Sequence, residues 1–312
     1  MNDLKVVLPG GAGLVGQNLV TQLKLKGYTN IWVIDKHVTN LQKLRELHPD
    51  VKAYSADLSK KGDWEKYFLD TQAVVMLQAQ IGGLNQADFN ANNVESTKNI
   101  LSIVKAHNIP KLVHISSSVV NSEVDDFYSI SKREQEKVVL DSGIPCSILR
   151  PTLMFGWFDR KHLGWLSRFM SKVPIFPIPG NGKYIRQPLY VGDFCKIIIH
   201  CIESSVADDI YDISGQERIF YLDIIREIRR VTKAKTAIVH IPFSLFYSLL
   251  SIWSLFDKNP PFTTQQLNAL VVKEEFDIID WPSIFTTPAT PFVDALTETF
   301  CHPSYSNIEM DF

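Results

Sequence analysis

A tyrosine and a lysine that could take part in proton transfer lie four residues apart in the segment DDFYSISKREQEKVV, residues 125–139. The segment has the pattern of a helix, and residues four apart share one face of a helix. The ammonium group of Lys132 can therefore lie near the phenol oxygen of Tyr128 or near the ribose of a bound nucleotide. Simple packing of the two side chains is the alternative.

The chemistry that this pair could support is acid–base catalysis by the tyrosine. Free tyrosine has a pKa of about 10, so it is a poor base at neutral pH. A nearby ammonium group and a positive nicotinamide ring both favour the phenolate. Lowering the pKa by about 3 units requires about 4 kcal/mol of differential interaction, which two cations in a dry site could supply. The Ser118 hydroxyl, ten residues before Tyr128, could hold the substrate oxygen as its proton leaves.

Strands and helices alternate through the first half of the chain, which predicts a parallel sheet with right-handed crossovers. Apolar segments indicate strands at 4–10, 30–35, 51–58, 73–79, 111–118 and 145–151. Helical spacing occurs at 15–27, 63–70, 92–108 and 125–139. The serines 116–118 end the fifth strand, and the carboxyl end of such a strand opens on the crevice where α/β sheets bind ligands.

The first strand is followed by a glycine-rich turn, LPGGAGLVGQNLV, with Gly10, Gly13 and Gly16 in a G-x-x-G-x-x-G pattern. Glycines there allow a tight turn and let the backbone approach a diphosphate, while the helix N-terminus supplies unpaired N–H groups. The pattern lies between a strand and a helix, as a dinucleotide site requires. A glycine-rich turn without a ligand is the alternative.

Two acidic residues at strand ends favour NAD as the dinucleotide. Asp35 ends the second strand, where a carboxylate can accept both ribose hydroxyls and would repel a 2′-phosphate. Lys36 and His37 follow it and could partly compensate a phosphate, which keeps NADP open. Asp57, after the third strand, could reach the adenine amino group, although it could equally be a helix cap.

The amino-acid composition changes after Pro151, since residues 156–186 are rich in aromatics, Pro and Gly. A helix at 191–203 and a strand at 209–215 could rejoin the sheet, and the chain reads as mainly helical from Tyr221, with an irregular tail after Pro288. We therefore predict an α/β fold: a Rossmann-type doubly wound parallel sheet with a smaller, mostly helical C-terminal substrate lobe. The NAD-binding domain would comprise 1–151, completed by 187–215, and the lobe 152–186 and 216–312.

Bulk composition excludes several classes of protein. The 312 residues are 45% hydrophobic and 21% charged with a formal net charge of −2, so the chain has no basic field for nucleic acid. The four cysteines have no metal-ligand spacing, and we expect buried, reduced thiols and no metal. No signal peptide is visible.

The most apolar stretch, 241–256, is shorter than the roughly 20 residues of a membrane span. We expect a helix packed on the second lobe, with a membrane-surface or partner-facing helix as the alternative.

The chain resembles the extended short-chain dehydrogenase/reductases, especially the nucleoside-diphosphate-sugar epimerase/dehydratase branch. The matching segments are GGAGLVG, Asp35, ADL with Asp57, NNVESTKNIL, ISSS, YSISK, ILRPTLMFG and RQPLYVGD, in the family's order between residues 6 and 193. The resemblance implies that Tyr128 is the acid/base, that Lys132 holds the nicotinamide ribose, and that Ser118, or Ser117 as its rival, binds the reacting hydroxyl. Asn93 would steady the site, and Arg186 would contact the nucleotide diphosphate, with a surface ion pair as the alternative.

We expect the NAD site to be formed by a wider set of residues from the carboxyl ends of the strands. These are Gly10, Gly13, Leu14, Val15, Gly16, Asp35, Lys36, Asp57, Leu58, Leu77, Ala79, Asn93, Ser116, Tyr128, Lys132 and Pro151. The substrate set is Ser117, Ser118 and Arg186. Two departures from the family pattern bear on the substrate: the serine-to-tyrosine loop is short, and Gln78 replaces a histidine that usually follows the fourth strand.

The expected reaction is epimerisation of a nucleoside-diphosphate sugar through a transient keto intermediate. A keto-sugar reductase or dehydratase is the nearest enzymatic alternative. A nucleotide-binding scaffold without turnover is the rival, although a scaffold would need none of Ser118, Tyr128 and Lys132. We also expect a cytoplasmic homodimer.

Overall fold

The structure is a computed structural model that describes residues 3–123, 125–204, 209–256, 264–271 and 276–310, without the side chains of 255, 265, 266 and 269. Within these residues, seven parallel strands form one sheet in the order β11–β6–β5–β4–β1–β2–β3. Their bounds are β1 Val6–Pro9, β2 Ile31–Asp35, β3 Lys52–Ser55, β4 Ala73–Met76, β5 Lys111–Ile115, β6 Ser147–Pro151 and β11 Ile210–Ile213.

The central strands are apolar along their whole length because both faces of the sheet are covered. Every residue of β1 and of β4 is buried, as expected for parallel strands with helices on both sides. The strand order reverses between β1 and β4, so the carboxyl ends of these two strands flank the crevice that binds ligands in such sheets. The predicted strand at 209–215 does rejoin the sheet, since β11 pairs with β6.

Helices cover the two faces of the sheet in separate layers. Leu19 and Leu23 pack with Ile198 in the core cluster on one face, and Trp64 and Ile100 belong to the cluster on the other. The helices of this part are α1 Leu14–Leu25, α2 Val38–Leu47, α3 Gln86–Phe89, α4 Ser96–Ala106, α5 Phe127–Asp141 and α7 Val191–Glu203, with 3₁₀ turns at Asp63–Phe68 and Ser118–Asn121. The doubly wound sheet is therefore confirmed.

The remaining segments build a second core around α8 and α12. Ile225, Ile228 and Leu296 are among its buried residues. The elements outside the sheet and its helices are β7 Met154–Phe155, α6 Leu163–Lys172, β8 Ile175–Pro179, β9 Ile185–Arg186, β10 Leu189–Tyr190, β12 Ile219–Phe220, α8 Tyr221–Thr232, β13 Ala237–Ile241, α9 Phe243–Phe256, α10 Thr264–Val271, α11 Trp281–Ile284 and α12 Phe292–Cys301. Of these, α11 packs on the first core, which contains Trp281. Three strand pairs lie among them: β7 with β10, β8 with β13, and β9 with β12.

Two expectations about the tail and the cysteines are wrong. The chain after Pro288 is not irregular throughout, because α12 forms there and buries Ala295 and Leu296 against the second core. Cys301, the last residue of α12, is exposed, whereas the other three cysteines are buried as expected. A helix end at the surface leaves the thiol in contact with solvent.

The apolar stretch 241–256 forms α9, but this helix exposes much of its surface. Among its described side chains, Leu250 alone is fully buried. Leu245, Leu249, Ile252 and Phe256, which share one helix face, are 50–86% exposed. In the part of the chain that the structure describes, no helix is both long and apolar enough to cross a membrane.

Candidate active site

The turn between β1 and α1 requires glycine at two positions. Gly10 has φ +75°, and a Cβ there would lie 2.3 Å from the backbone nitrogen of Gln78. A Cβ on Gly16 would lie 2.2 Å from the carbonyl oxygen of Gly11. Gly13, the N-cap of α1, differs: its nearest neighbour would be Gly10 O at 3.8 Å. The predicted tight turn is therefore present, and the first N–H groups of α1, beginning at Leu14 and Val15, have no partner within the helix.

Asp35 is held in place by backbone N–H groups of the same region. Its carboxylate accepts from Ala12 N at 3.0 Å and from His37 N at 2.9 Å. Burial raises the pKa of Asp35, and these hydrogen bonds oppose the increase. Lys36 and His37, the two residues that could favour NADP, make other contacts: Lys36 Nζ donates to Asn92, and the His37 ring accepts from Asn40 N.

Asp57 makes the local contacts that its alternative interpretation predicts. Its carboxylate accepts from the backbone N–H of Ser59 at 3.0 Å and from the Ser59 hydroxyl at 2.6 Å, and it pairs with Lys60. These bonds lower the pKa of Asp57. Leu58 is buried in the core, and Ala79 is exposed just beyond β4. The contact of Asp57 with adenine stays a prediction.

The tyrosine lies at the start of α5, where Asp126 caps the helix by accepting from Ser129 N at 2.7 Å. Burial raises the pKa of the Tyr128 phenol, and the nearby Ser117 side chain opposes this increase. The phenolate is thus disfavoured in the chain alone. Of the two candidate serines, the structure brings Ser117 to the phenol, while Ser118 begins the 3₁₀ turn that follows.

The lysine is buried in the protein interior rather than placed beside the phenol. Lys132 Nζ donates to Ile115 O at 3.0 Å and to Gln135 Oε1, and its residue is 1% exposed. Burial lowers the pKa of Lys132 to about 7, against the attraction of Glu136. The expected effect of the ammonium on Tyr128 is not seen in this arrangement, because the amine is bonded to β5 and to its own helix.

Asn93 connects the loop after β4 to the tyrosine helix. It lies in a π-helical segment, Asn90–Glu95, which leads into α4 where the sequence predicts one continuous helix. Its side chain accepts from Gln80 N at 2.6 Å and donates to Ser131 Oγ at 2.8 Å, and Ser131 donates to Tyr128 O. Short π-helical segments frequently occur at functional sites, and these contacts fit the steadying role expected of Asn93.

Ser116 and Pro151 end neighbouring strands but make structural contacts. The Ser116 hydroxyl donates to Glu136, whose carboxylate also pairs with Arg150. Pro151 is buried where β6 pairs with β11. Leu77 follows β4 and its N–H bonds to Pro9 O at 2.9 Å, which fixes the loop against the glycine turn.

Arg186 lies in β9, and its guanidinium contacts backbone carbonyls. It donates to Ile185 O at 2.7 Å and to Leu270 O of α10. The second contact joins residues that are 84 positions apart in the sequence, and it connects α10 to this arginine. Its contact with a diphosphate stays a prediction.

Sequence reasoning missed the side chains that support Lys132 and Tyr128, namely Thr97, Ser131 and Gln135. The spacing of Gln135 and Ser131 on the same helix could have drawn attention to them. Nothing in the sequence pairs Thr97 with Gln135, since that contact depends on how α4 packs against α5.

A glycine turn at the strand-order reversal, an acidic residue ending β2, and a serine–tyrosine pair beside β5 define a dinucleotide-dependent enzyme site on a Rossmann sheet. The sequence model of the NAD dependent epimerase/dehydratase family matches residues 6–214. The chain belongs to this family of NAD-dependent enzymes.

Relatives differ in substrate. The chain is 23% identical over 274 residues to a UDP-N-acetyl-alpha-D-glucosaminuronate decarboxylase of Bacillus cytotoxicus, covering 78% of this chain and 85% of the relative. It is 29% identical over 255 residues to a decarboxylating sterol-4-alpha-carboxylate 3-dehydrogenase of Schizosaccharomyces pombe, covering 73% and 74%.

Solved structures agree with the fold over nearly the whole chain. The Bordetella bronchiseptica enzyme WbmG, in complex with NAD and UDP, superimposes with a TM-score of 0.76 at 16% identity, covering 96% of this chain and 94% of that one. UDP-glucuronic acid 4-epimerase from Bacillus cereus, in complex with UDP-glucuronic acid and NAD, gives 0.72 at 20% identity, covering 95% and 98%. At these identities the likeness shows the fold.

Proposed function

We propose that the protein epimerises a nucleoside-diphosphate sugar through a transient keto sugar. The observation that carries this proposal is the proximity of the Tyr128 phenol and the Ser117 side chain after the carboxyl end of β5. A hydroxyl group held there can lose a proton to one group and be oriented by the other. NAD, when bound, supplies the acceptor and donor of hydride.

Each candidate site residue has one proposed role. Tyr128 takes the proton from the reacting hydroxyl and returns it, and Ser117, or Ser118 beside it, orients that hydroxyl. Lys132 holds the nicotinamide ribose, Asp35 the adenosine ribose, and the N–H groups at the start of α1 the diphosphate. Arg186 holds the diphosphate of the substrate.

The substrate class is supported by the relatives whose names contain UDP- or dTDP-sugars. The sterol-acting relatives point to a second class of hydroxyl substrate. The two classes differ in one testable way, because a sterol carries no diphosphate for Arg186 to bind.

A panel of UDP-, GDP- and dTDP-sugars, followed by NMR, tests the proposal. We expect an epimer to appear without net consumption of NAD. Stoichiometric reduction of added NAD by a substrate that lacks a diphosphate would overturn both the epimerase proposal and the diphosphate clamp. A keto or decarboxylated product would assign the reaction to another branch of the same family.

The Tyr128→Phe variant removes one oxygen and should lower turnover by at least about 10²-fold, the usual contribution of an acid/base group. The fold should survive, since the phenylalanine ring fills the space of the tyrosine ring. Tyr247→Phe, on the exposed side of α9, is the matched control. Comparing Ser117→Ala with Ser118→Ala then identifies the serine, and we expect the larger loss from Ser117.

We further propose that the enzyme is a cytoplasmic homodimer. Phe127 and Ile130 on α5 are 40% and 37% exposed, and they support an interface along this helix. Sedimentation equilibrium should give twice the chain mass, and a monomer at micromolar concentration would contradict the assembly.

A further inference from the structure

Lys132 is held by two acceptors inside the protein. Its residue is 1% exposed, and its amine donates to Ile115 O at 3.0 Å and to the side-chain oxygen of Gln135. An ammonium group has three N–H donors. Two of them have acceptors within the protein.

The orientation of the Gln135 amide is set by a third residue. Gln135 Nε2 donates to Thr97 Oγ1 at 2.9 Å, and Gln78 Nε2 donates to the same oxygen at 3.1 Å. Gln135 and Thr97 are fully buried. A flipped Gln135 would place its NH₂ group against the lysine amine, so that two donors would face each other. The amide oxygen therefore has to face Lys132.

Two titratable groups lie near this amine; one is paired with another residue and the other is neutral. Glu136, on the same helix, is paired with Arg150 of β6 and accepts from Ser116 of β5. His114 faces Lys132 from β5 and is fully buried, with a pKa far below its usual range because of burial and the lysine charge. From α4 and the end of β4, neutral Thr97 and Gln78 complete the surroundings.

We propose that Gln135 is a positioning residue for Lys132: its amide, oriented by Thr97 and through it by Gln78, directs one N–H of the lysine toward the cofactor ribose. The inference rests on the proposed role of Lys132. It accounts for three neutral polar side chains, from α4, α5 and the loop after β4, that are buried together and hydrogen-bonded to one another. The competing interpretation is that Gln135 only fills space between α4 and α5.

Two substitutions separate positioning from packing. Gln135→Glu keeps an acceptor and adds a negative charge, so it should raise the pKa of Lys132. Gln135→Met keeps the volume but removes the acceptor, so it should lower that pKa. These shifts report how the side chain at position 135 acts on the amine, and the affinity for NAD then separates positioning from packing. Lys137→Gln, exposed on the same helix, changes the net charge as Gln135→Glu does and is the matched control.

The measurement is NMR of ¹³C-lysine-labelled protein without ligand, with Lys132→Met identifying the signal. NAD affinity is then measured by calorimetry. We expect Gln135→Met to weaken NAD binding by about 10-fold or more, the value of one hydrogen bond to a charged group. Gln135→Glu should restore most of this affinity. Neither measurement needs turnover, so failure of the epimerase proposal would leave this test intact.

Equal lysine pKa values in the two variants and the control, or shifts of the same sign, would overturn the positioning role. Unchanged NAD affinity in Gln135→Met would overturn it as well. If Gln135→Glu does not fold, Thr97→Val takes its place, since it removes the oxygen that orients the amide without adding charge. Thr97→Val should lower the pKa of Lys132 and weaken NAD binding, in both cases by less than Gln135→Met does. If Thr97→Val changes neither the pKa nor the affinity, the proposal is contradicted.

Discussion

The cofactor side and the substrate side of the site are built in different ways. On the cofactor side, the glycine turn and Asp35 lie at the ends of adjacent strands, and their contacts are with each other's backbone, such as Ala12 N with the Asp35 carboxylate. On the substrate side, Arg186 meets Leu270, a residue 84 positions later, and the second core joins α6, α8 and α12. The first side is an assembly of strand ends; the second is an assembly of distant segments.

This difference explains which parts of the site can be predicted from sequence motifs. A strand–turn–helix unit is complete within about 30 residues, so a local sequence motif is enough to predict its geometry. The exposed apolar face of α9 and the carbonyl contacts of Arg186 depend on packing between segments that share no local pattern. Four substitutions, in order of decreasing expected effect, test this comparison.

The largest effect is expected from Gly10→Ala. The new Cβ would lie 2.3 Å from Gln78 N, and φ is +75°, so β1, the turn and the loop after β4 would all have to shift. We expect a loss of about 4 kcal/mol or more in the free energy of unfolding, together with loss of NAD binding. Urea denaturation and calorimetry measure the two effects.

Gly143→Ala is its control, because Gly143 has φ +65° but no atom within 4 Å of a new Cβ. It should cost about 1–2 kcal/mol, the strain of a left-handed residue alone. Equal losses in the free energy of unfolding for the two variants would show that backbone strain, rather than the close approach of the loop after β4, causes the loss at Gly10.

The next effect concerns α9 on the substrate side. Leu250→Ala should destabilise by about 2–3 kcal/mol, since Leu250 is 8% exposed. Leu249→Ala, one residue away and 50% exposed, should stay within about 0.5 kcal/mol. Thermal or urea unfolding compares the two. A large loss at Leu249 would mean that this face is covered in the folded protein, for example by a second copy.

Asp35→Asn tests the cofactor side with a smaller change. The native protein should bind NAD more tightly than NADP, and the variant should narrow the ratio of dissociation constants by about 10-fold, because a carboxylate repels a 2′-phosphate and an amide does not. Titration of cofactor-free protein with both dinucleotides gives the ratio. Lys36→Ala is the control, and a larger shift there would transfer the discrimination to the lysine.

The last substitution, Arg186→Gln, should have an effect similar in size to that of Asp35→Asn, and it has two distinguishable outcomes. If the guanidinium binds the substrate diphosphate, KM should rise about 10-fold with stability unchanged. If its contact with Leu270 O chiefly tethers α10, the midpoint of thermal unfolding should fall and KM should change little. The second outcome would remove Arg186 from the substrate site.

The sequence by itself determined the sheet, the glycine turn and the position of Tyr128 on a capped helix. Each follows from a short-range rule: the apolar strand pattern, the positive φ that Gly10 adopts in the turn, and the acceptor that Asp126 offers to the first turn of α5. The family motifs follow the same units, which is why the family could be recognised from them.

Only the tertiary structure decided what surrounds the catalytic side chains. Lys132 bonds to Ile115 and Gln135 instead of Tyr128, and Ser117 rather than Ser118 reaches the phenol. Which of two adjacent serines or which face of a helix turns inward depends on the crossing of α4, α5 and β5. That crossing is set by the packing of many side chains at once, and no local spacing encodes it.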